Sequence, residues 1–445
     1  PEPEEVKKFL ADRTPEKRKL LIEKILNSDT FADYWSLKWC DILRVKSEFP
    51  INLWPNAVQS YHRWIRDAIK ENMPYDKFAR ELLTSSGSNF RVPQVNFYRA
   101  VQGRDPISIA GAVVLTFMGT RLDNWSEEKR SQMAVFFSKI AYKKTDEWKE
   151  EIVYLNPAPS GPLKAVLPDG KKIEIPPDVD PRIIFADWLI RDDNPYFAKN
   201  IVNRIWSWLM GWGIINEPDD IREDNPPSNP ELLAYLEKEL IKSHYDLKHI
   251  YRLILNSQTY QQSFIPATTH PDAEKLFAYY PVRRLEAEVL LDILCKIGGT
   301  GEEYVSPIPE PYTFIPRYQR NILLADGSIT GPFLELFGRP SRDTGLESER
   351  NNHITDAQQM YLINSSELHR RIQSSATLRR ISVAAGGNKT ETIKNIYLLL
   401  LSRYPVDSEI EVAERHFQTE GITFKEAVED LAWAIINSKE FLYRH

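Results

Sequence analysis

The chain has 445 residues, of which 42% are hydrophobic and 27% are charged, and its formal net charge is −6. This length and apolar content suffice for two or three domains with sizeable cores. The negative charge disfavours a nucleic-acid partner, because binding a phosphate backbone requires a concentrated positive surface. No stretch approaches the roughly 18 apolar residues of a membrane span, so we expect none.

The two cysteines, Cys40 and Cys295, limit the redox and metal chemistry. Without a Cys-x-x-Cys pair, a zinc–thiolate site and a covalently attached c-type haem are excluded. A disulfide between the two stays open, because pairing is not readable from sequence. The chain starts at Pro1 without methionine or signal peptide, which predicts a processed or trimmed product.

Helical periodicity dominates residues 1–145, where we expect an N-terminal helical domain. One apolar stripe predicts a helix over residues 56–72: Val58, Tyr61, Ile65, Ala68 and Ile69. Ser126 is the expected N-cap of a later helix, whose apolar residues are Met133, Phe136, Phe137 and Ile140.

The pattern changes between residues 146 and 180. Residues 151–155 predict a strand, and residues 165–175, with Pro168-Asp169-Gly170 at the turn, predict a hairpin. We expect a small β insert here. The predicted fold class is therefore mainly α: a multi-helical, two-lobed protein with a small β-hairpin or sheet insert between domains 1–145 and 181–445.

The C-terminal domain, residues 181–445, begins with helix-start signals. Asn194-Pro195 and Asn229-Pro230 each predict a cap followed by proline at the first helical position. Residues 298–352 form a long irregular segment, and such segments are often functional.

A short pattern recurs at residues 25–28, 254–257 and 435–438, with a weaker copy at 363–365. Each copy has Asn-Ser after apolar residues. We expect a helix that ends at an Asn in the left-handed conformation, followed by a Ser that caps the next helical turn.

Residues 338–352 carry six opposite charges in one irregular loop: Arg339, Arg342, Arg350, Asp343, Glu347 and Glu349. One interpretation is a network of ion pairs that braces the loop. The other is a site. If Gly345 keeps the loop extended, Glu347 and Glu349 point the same way and can act as acid and base, with Asp343 as a third candidate.

In the site interpretation, the arginines and the neighbouring amides Asn351 and Asn352 are the binding residues. Guanidinium groups bind sulfate or carboxylate bidentately. The three nearby acids weaken this interpretation, because they neutralise the arginines.

Residues 217–225 hold five acids and one arginine, Arg222. Asp219, Asp220 and Asp224 are hard oxygen ligands suited to calcium, although their spacing does not match an EF-hand. Alternatively, Asp219 or Asp220 pairs with Arg204 or Arg222 and locks the loop to the preceding helix. The predicted binding residues of this loop are Arg204, Arg222 and Asn225.

Other catalytic signatures are missing from the sequence. It has no Gly-x-Ser-x-Gly elbow, phosphate loop or dinucleotide fingerprint. The histidines form no tight ligand pair. Several tryptophans lie near turns or helix ends, where exposed rings offer stacking faces for sugars or peptides: Trp54, Trp125, Trp148, Trp206, Trp208 and Trp212.

Longer segments carry a family resemblance. In the first half these include YWSLKWCDILR and WIRDAIKENMPYDKFARELL, and in the second half NPYFAKNIVNRIW, PDDIREDNPPSNPELL, FGRPSRD and ERNN. Over nearly its whole length the chain resembles exported bacterial proteins that pair domain-of-unknown-function families 1549 and 1553, the planctomycete cytochrome-associated proteins.

The resemblance implies export, hence a periplasmic or cell-surface location, and supplies no mechanism. Many relatives carry Cys-x-x-Cys-His after a stretch like residues 117–121, and cysteines where this chain has residues 344–349. Both are missing here. We therefore expect no haem, and an electron-transfer role is disfavoured.

Together these features predict a polar groove between two helical lobes, lined by residues 217–225 and 338–352. The function we expect is action in, or binding to, a polysaccharide- or glycoconjugate-processing system, a class supplied only by association with glycan-degrading bacteria. The alternative is a non-catalytic scaffold or binding subunit of an envelope complex, with another envelope protein as partner.

Overall fold

The computed structural model describes residues 1–158, 161–316 and 318–444. It is mainly α-helical with small antiparallel sheets, which confirms the predicted fold class. The helices before the β insert are α1 (Pro3–Ala11), α2 (Lys17–Leu26), α3 (Asp29–Ile42), α4 (Pro55–Lys70), α5 (Tyr75–Thr84), α6 (Asn96–Arg99), α7 (Pro106–Met118) and α8 (Glu127–Val135).

The remaining helices follow the insert and continue to the C-terminus. They are α9 (Pro181–Leu189), α10 (Phe197–Met210), α11 (Pro230–Lys242), α12 (Leu247–Asn256), α13 (Ala287–Gly298), α14 (Pro332–Leu336), α15 (Asp356–Asn364), α16 (Ser366–Gln373), α17 (Ala376–Ala384), α18 (Lys389–Leu401), α19 (Asp407–His416), α20 (Phe424–Ile436) and α21 (Lys439–Leu442). In the part of the chain that the structure describes, no helix has the length and apolar character needed to cross a bilayer.

The strands form three small sheets. They are β1 (Gly87–Ser88), β2 (Ile140–Lys144), β3 (Glu151–Leu155), β4 (Leu163–Val166), β5 (Lys172–Ile175), β6 (Arg283–Arg284) and β7 (Tyr443–Arg444). The order β1-β3-β2 makes one sheet, and β4 pairs with β5 as the predicted hairpin. In the third sheet, Arg283 pairs with Arg444, which returns the end of the chain to the start of α13.

One element differs from the sequence pattern at Ile140. Ser126 caps α8 as expected, because its side chain accepts a hydrogen bond from the Lys129 N–H. The helix then ends at Val135, and Ile140 begins β2 instead of continuing the apolar helical face. Antiparallel pairing with β3, in which Ile140 faces Leu155, outweighs the local helical pattern.

The buried apolar residues divide into two cores. The first runs from Ile22 to Tyr280 and also includes Ala325, whereas the second runs from Ala287 to Phe441. Helices α9–α12 bury their apolar faces in the first core, against helices such as α5, α7 and α2. The cores therefore separate just before α13, and the predicted domain limits at residues 145 and 180 do not coincide with this division.

The recurring Asn-Ser pattern marks helix junctions, as predicted. Ser28 caps α3, Ser257 accepts from the Tyr260 N–H, and Ser438 caps α21. The expected left-handed asparagine is wrong: Asn27 has φ −100° and Asn437 φ −84°. Each asparagine instead donates its amide to the carbonyl four residues earlier and closes the last helical turn.

Helix α3 is buried around most of its circumference, although it carries charged residues. Tyr34, Lys38 and Asp41 recur at helical spacing and form one polar stripe. Cys40 lies between them as a free thiol, as does Cys295 on α13, so the two cysteines are not joined. Burial raises the pKa of Cys40 to about 12 and that of Cys295 to about 11, which makes both thiols unreactive at neutral pH.

Candidate functional site

The two loops singled out in the sequence lie against each other. The backbone N–H of Glu347 donates to Asp219 Oδ2 at 2.6 Å, and Arg204 Nη2 donates to Asp219 Oδ1 at 2.6 Å. Arg204 and Asp219 are buried by this contact, with 1% and 2% of their surface exposed. Asp219 therefore locks residues 217–225 both to α10 and to residues 338–352.

The arginines of residues 338–352 point into the protein. Arg342 Nε donates to Asp41 Oδ1 at 2.8 Å, and Arg350 Nε donates to Asp41 Oδ2 at 2.9 Å. Arg350 also makes a bidentate pair with Glu288 on α13, at 2.7 and 3.0 Å. Arg339 Nε lies 3.3 Å from Glu288 Oε1. We name these five residues the bracing cluster: Asp41, Glu288, Arg339, Arg342 and Arg350.

The bracing cluster holds three guanidinium groups and two carboxylates, and its excess positive charge is met by backbone carbonyls. Arg342 Nη1 donates to Ala325 O at 2.6 Å, and Arg339 Nη2 donates to Asp326 O at 3.0 Å. Burial, and then Arg342, lowers the pKa of Arg339 to about 10. Because these donors already face protein acceptors, the contacts favour bracing over capture of an external anion.

Glu288 is the most buried carboxylate of the bracing cluster, with none of its surface exposed. Burial alone raises its pKa, but the ion pair and hydrogen bonds to Arg350, followed by Arg339, outweigh burial and lower the pKa to about 2. Glu288 is therefore ionised at any physiological pH, and it holds the loop to α13.

Two of the predicted catalytic acids, Glu349 and Asp343, form hydrogen bonds or ion pairs with protein groups beside the loop. Glu349 Oε1 accepts from the Asp343 N–H at 2.8 Å, and its Oε2 accepts from the Thr344 hydroxyl at 2.9 Å. Asp343 Oδ1 accepts from Lys46 Nζ at 2.7 Å. The Ser341 hydroxyl lies within hydrogen-bond distance of both carboxylates and can donate to either. These contacts shape the turn and connect it to the residues after α3.

The glycines of this loop are required by close approach. At Gly345, where φ is +74°, a Cβ atom would lie 2.6 Å from the Ile42 carbonyl at the end of α3. At Gly338, where φ is +80°, it would lie 1.7 Å from the Asn351 carbonyl. Only glycine fits both the left-handed backbone and the contact.

Glu347 is separated from Glu349 by backbone geometry. An extended loop would make both carboxylates converge, but Glu347–Glu349 form a 3₁₀ turn that directs them to different partners. Burial raises the pKa of Glu347, and Lys38, Arg204 and the Trp208 indole oppose that rise only in part. Keeping Glu347 ionised in the folded protein therefore costs electrostatic free energy.

Replacing Glu347 with glutamine is expected to raise the melting temperature at pH 7 by on the order of 1 °C. Because the folded-state pKa is raised, folding favours the protonated acid, and stability falls as pH rises through that pKa. Glutamine removes this cost. Thermal melts at pH 7 and pH 4 measure the difference, which should vanish at the lower pH, and a variant less stable at pH 7 would contradict the assignment.

The remaining predicted residues of 217–225 lie at the surface and pair locally. Arg222 Nε donates to Asp220 Oδ2 at 3.1 Å, and its Nη1 lies 3.3 Å from Asp224 Oδ2. Asn225 donates its amide to the Asn216 and Asp220 carbonyls. No His, Cys, Asp or Glu side chains within residues 1–158, 161–316 and 318–444 are grouped to hold a metal ion. The three aspartates predicted to bind calcium each face an arginine instead.

The two predicted asparagines sit at the end of the second loop. The Asn351 carbonyl accepts from Arg284 Nη2 at 3.0 Å, and its side-chain oxygen accepts from the His353 N–H at 2.9 Å. The buried Oδ1 of Asn352 has no hydrogen-bond partner among the described residues. Asn351 thus stabilises the end of the loop formed by residues 338–352.

A second buried ion cluster continues the polar stripe of α3. Lys38 Nζ lies 3.2 Å from Glu286 Oε1, which also accepts from the Tyr34 hydroxyl at 2.8 Å. Arg444, from β7, bonds both Glu286 and the Tyr34 hydroxyl. Burial raises the pKa of Glu286, but Arg444, Lys38 and Arg350 outweigh it and hold the pKa well below its usual range.

An open cleft of about 820 Å³ lies beside this cluster, between α3 and α13, and we name it the α3–α13 cleft. Aromatic and aliphatic side chains make most of its surface. Its walls are Ile25, Thr30, Phe31, Tyr34 and Trp35 on one side, and Leu285, Val289, Asp292, Ile293, Cys295, Lys296, residues 299–301, residues 318–322 and Arg444 on the other. None of the predicted site residues lines it.

Comparison with known proteins assigns the two walls to two families. The model of PSD1, a protein of unknown function (DUF1553), matches residues 181–417, more than half of the chain. The chain belongs to the PSD1 family. Residues 1–141 match the model of PSCyt2, also a protein of unknown function (DUF1549), so the paired resemblance is confirmed. No curated protein and no solved structure matches the chain.

The α3–α13 cleft therefore lies between the PSCyt2 region and the PSD1 region. Its polar groups come mainly from PSD1. Asp292 accepts hydrogen bonds from the backbone and side-chain N–H groups of Asn321, at 2.5 and 2.8 Å. Burial raises its pKa despite these bonds and the nearby Arg320. A carboxyl with a raised pKa in a cleft is a frequent mark of a functional position.

The sequence analysis did not identify the charged side chains that pair with the arginines of residues 338–352, or those that form the neighbouring Lys38–Glu286 cluster. Asp41 and Lys38 lie in W-S-L-K-W-C-D-I-L-R, and Glu286 and Glu288 lie in R-R-L-E-A-E-V-L-L. Each segment carries its charged residues beside aliphatic or aromatic ones, and a charge that is buried with them must be paired. That signal was present in the sequence, but it does not identify the partner.

Proposed function

We propose that the protein binds a segment of polysaccharide or glycoconjugate in the α3–α13 cleft, as a component of an exported glycan-processing system. The observation that carries the proposal is the cleft itself. It has a volume of about 820 Å³, it lies between the two family regions, and its apolar walls carry a few convergent polar groups. Such a combination is typical of ligand sites.

The side chains of the cleft suit a sugar ring. Tyr34 and Tyr318 present aromatic surface, against which the apolar face of a pyranose can pack. Asp292 and Arg320 supply an acceptor and a donor that can meet hydroxyl groups. Arg320 keeps nearly half of its side chain exposed and lies 3.7 Å from both Asp33 and Asp292, so it is available to a ligand.

Affinity electrophoresis through gels that contain single soluble polysaccharides tests this proposal. We expect retardation by at least one glycan, and about a tenfold weaker affinity for Tyr318→Ala and Arg320→Ala, since Tyr318 is largely exposed, Arg320 is about half exposed, and both border the cleft. Tyr235→Ala is the matched control, because Tyr235 is half exposed on the distant helix α11. Equal affinity of the wild type and both cleft variants would refute binding in the cleft.

The alternative, a non-catalytic scaffold or binding subunit, is favoured by a different feature. A second groove of about 730 Å³ lies among α18, α19 and α20, with apolar lining that includes Val412, Phe417 and Trp433. Val412 is 59% exposed, so part of this apolar lining faces solvent. A stable envelope protein partner lost in Val412→Glu, with no retardation by any glycan, would establish this alternative.

The location in the periplasm or at the cell surface is part of the same proposal. It is supported by the paired family resemblance. Fractionation of cells that express the full natural protein measures it directly, and recovery in the cytoplasm would contradict export.

A further inference from the structure

Three aromatic side chains from distant parts of the chain meet at the surface. Trp54 precedes α4, Trp148 lies in the turn between β2 and β3, and Tyr312 belongs to the long irregular segment. The ring centroids of Trp54 and Trp148 are 4.7 Å apart, as are those of Trp148 and Tyr312. We name these three residues the aromatic patch.

The aromatic patch is accessible to a ligand. Trp148 is 55% exposed and Tyr312 is 41% exposed, although large aromatic residues are usually buried. The rings meet edge to face, at interplanar angles of 71° and 68°, so no ring is stacked flat on its neighbour. The Lys149 ammonium lies 5.0 Å from the Trp54 centroid and 5.8 Å from that of Trp148, where it supports the rings by cation–π attraction.

A groove of about 640 Å³ runs along α4 near the aromatic patch. Asn56 and Glu147 line the groove and are close neighbours in sequence of Trp54 and Trp148, although the three rings of the patch do not line it. The groove's other polar side chains are Gln59, Ser60, Arg63, Asp67 and Glu71.

The chemistry of this surface matches a chain of hydroxyl-rich rings. Amide, carboxylate and guanidinium groups offer both donors and acceptors to hydroxyls, and the exposed rings offer stacking faces. Among the described residues that line the groove, Arg63 is the one basic side chain, alongside the acids Asp67, Glu71 and Glu147. This balance disfavours a strongly anionic polymer, which needs concentrated positive charge.

We propose that the aromatic patch and the adjoining α4 groove are a second binding site, specific for an uncharged polysaccharide. The site lies on other elements than the α3–α13 cleft. It shares the glycan class of the proposed function but does not depend on the cleft being occupied, because separate residues carry it.

Affinity electrophoresis of the full chain tests the second site with xylan, mannan, mixed-linkage β-glucan and dextran, and with polygalacturonate as the anionic probe. We expect Trp148→Ala and Tyr312→Ala to bind an uncharged polysaccharide about tenfold more weakly. Gln59 lies on the exposed face of α4, so Gln59→Ala should weaken binding while the aromatic rings of the patch stay unchanged. Tyr235→Ala serves again as control, and thermal melts check that each variant is folded.

The outcomes separate the two sites. Unchanged affinity in Trp148→Ala, Tyr312→Ala and Gln59→Ala overturns the second site, and the proposed function still stands if Tyr318→Ala loses affinity. Loss in the patch variants with no loss in Tyr318→Ala supports the second site and overturns the cleft. Binding of polygalacturonate alone, or of no polysaccharide, overturns the second site.

Discussion

Replacing Glu288 with glutamine is expected to lower the free energy of unfolding by about 3–5 kcal/mol. Glu288 is fully buried and pairs with Arg350 through two hydrogen bonds, while Arg339 lies 3.3 Å away. Without its charge, the buried bracing cluster keeps three guanidinium groups against one carboxylate. Removing one partner of a buried pair leaves the other charge desolvated, which costs more than the pair itself contributes.

Urea unfolding followed by tryptophan fluorescence measures this change. Glu16→Gln is the matched control, because Glu16 also pairs with a basic residue, Lys19 at 3.4 Å, but keeps 64% of its side chain exposed. Exposed pairs contribute about 0–1 kcal/mol, so the control should unfold almost as the wild type does. If both variants lost the same small amount, the cluster would not brace the loop.

Acidification is expected to destabilise the protein progressively between about pH 5 and pH 2. The folded-state pKa of Glu288 is about 2, compared with an ordinary value of 4.5. A lowered carboxyl pKa contributes stability that is fully present above the ordinary value and is lost as pH falls toward the folded value. At about 1.4 kcal/mol for each pH unit, this difference amounts to about 3 kcal/mol. Glu286, whose pKa is also held low, acts in the same direction.

The acid response can be assigned by comparing pH series. Urea midpoints measured from pH 7 to pH 2 should fall steeply for the wild type and less steeply for Glu288→Gln, which has no carboxyl to titrate at this position. The two curves should approach each other at the acid end. Parallel curves over the whole range would show that Glu288 does not cause the acid sensitivity.

Features set by neighbouring residues were predictable. The β4–β5 hairpin, the helix caps at Ser28 and Ser126, and the mainly helical class follow from local hydrogen bonding and periodicity. The errors arose where distant segments competed. Ile140 became a strand residue because β3 pairs with it, and residues 347–349 became a 3₁₀ turn docked on Asp219.

The candidate site shows the same division. The charge density of residues 217–225 and 338–352 correctly indicated that these loops meet. It did not reveal that Asp41, some 300 residues earlier, forms ion pairs with Arg342 and Arg350. It also did not reveal the α3–α13 cleft, whose walls combine helix faces with residues 299–301 and 318–322 of the long irregular segment.

By itself, the sequence determined the helical class, the positions of the caps and hairpin, and the paired PSCyt2 and PSD1 regions. Only the tertiary structure decided which opposite charges pair, which aromatic rings stay exposed, and where a cleft remains open. The physical reason is the distance along the chain over which each interaction acts. Periodicity and capping act within a few residues, whereas ion pairing and cavity shape depend on surfaces that meet only after the two cores have packed.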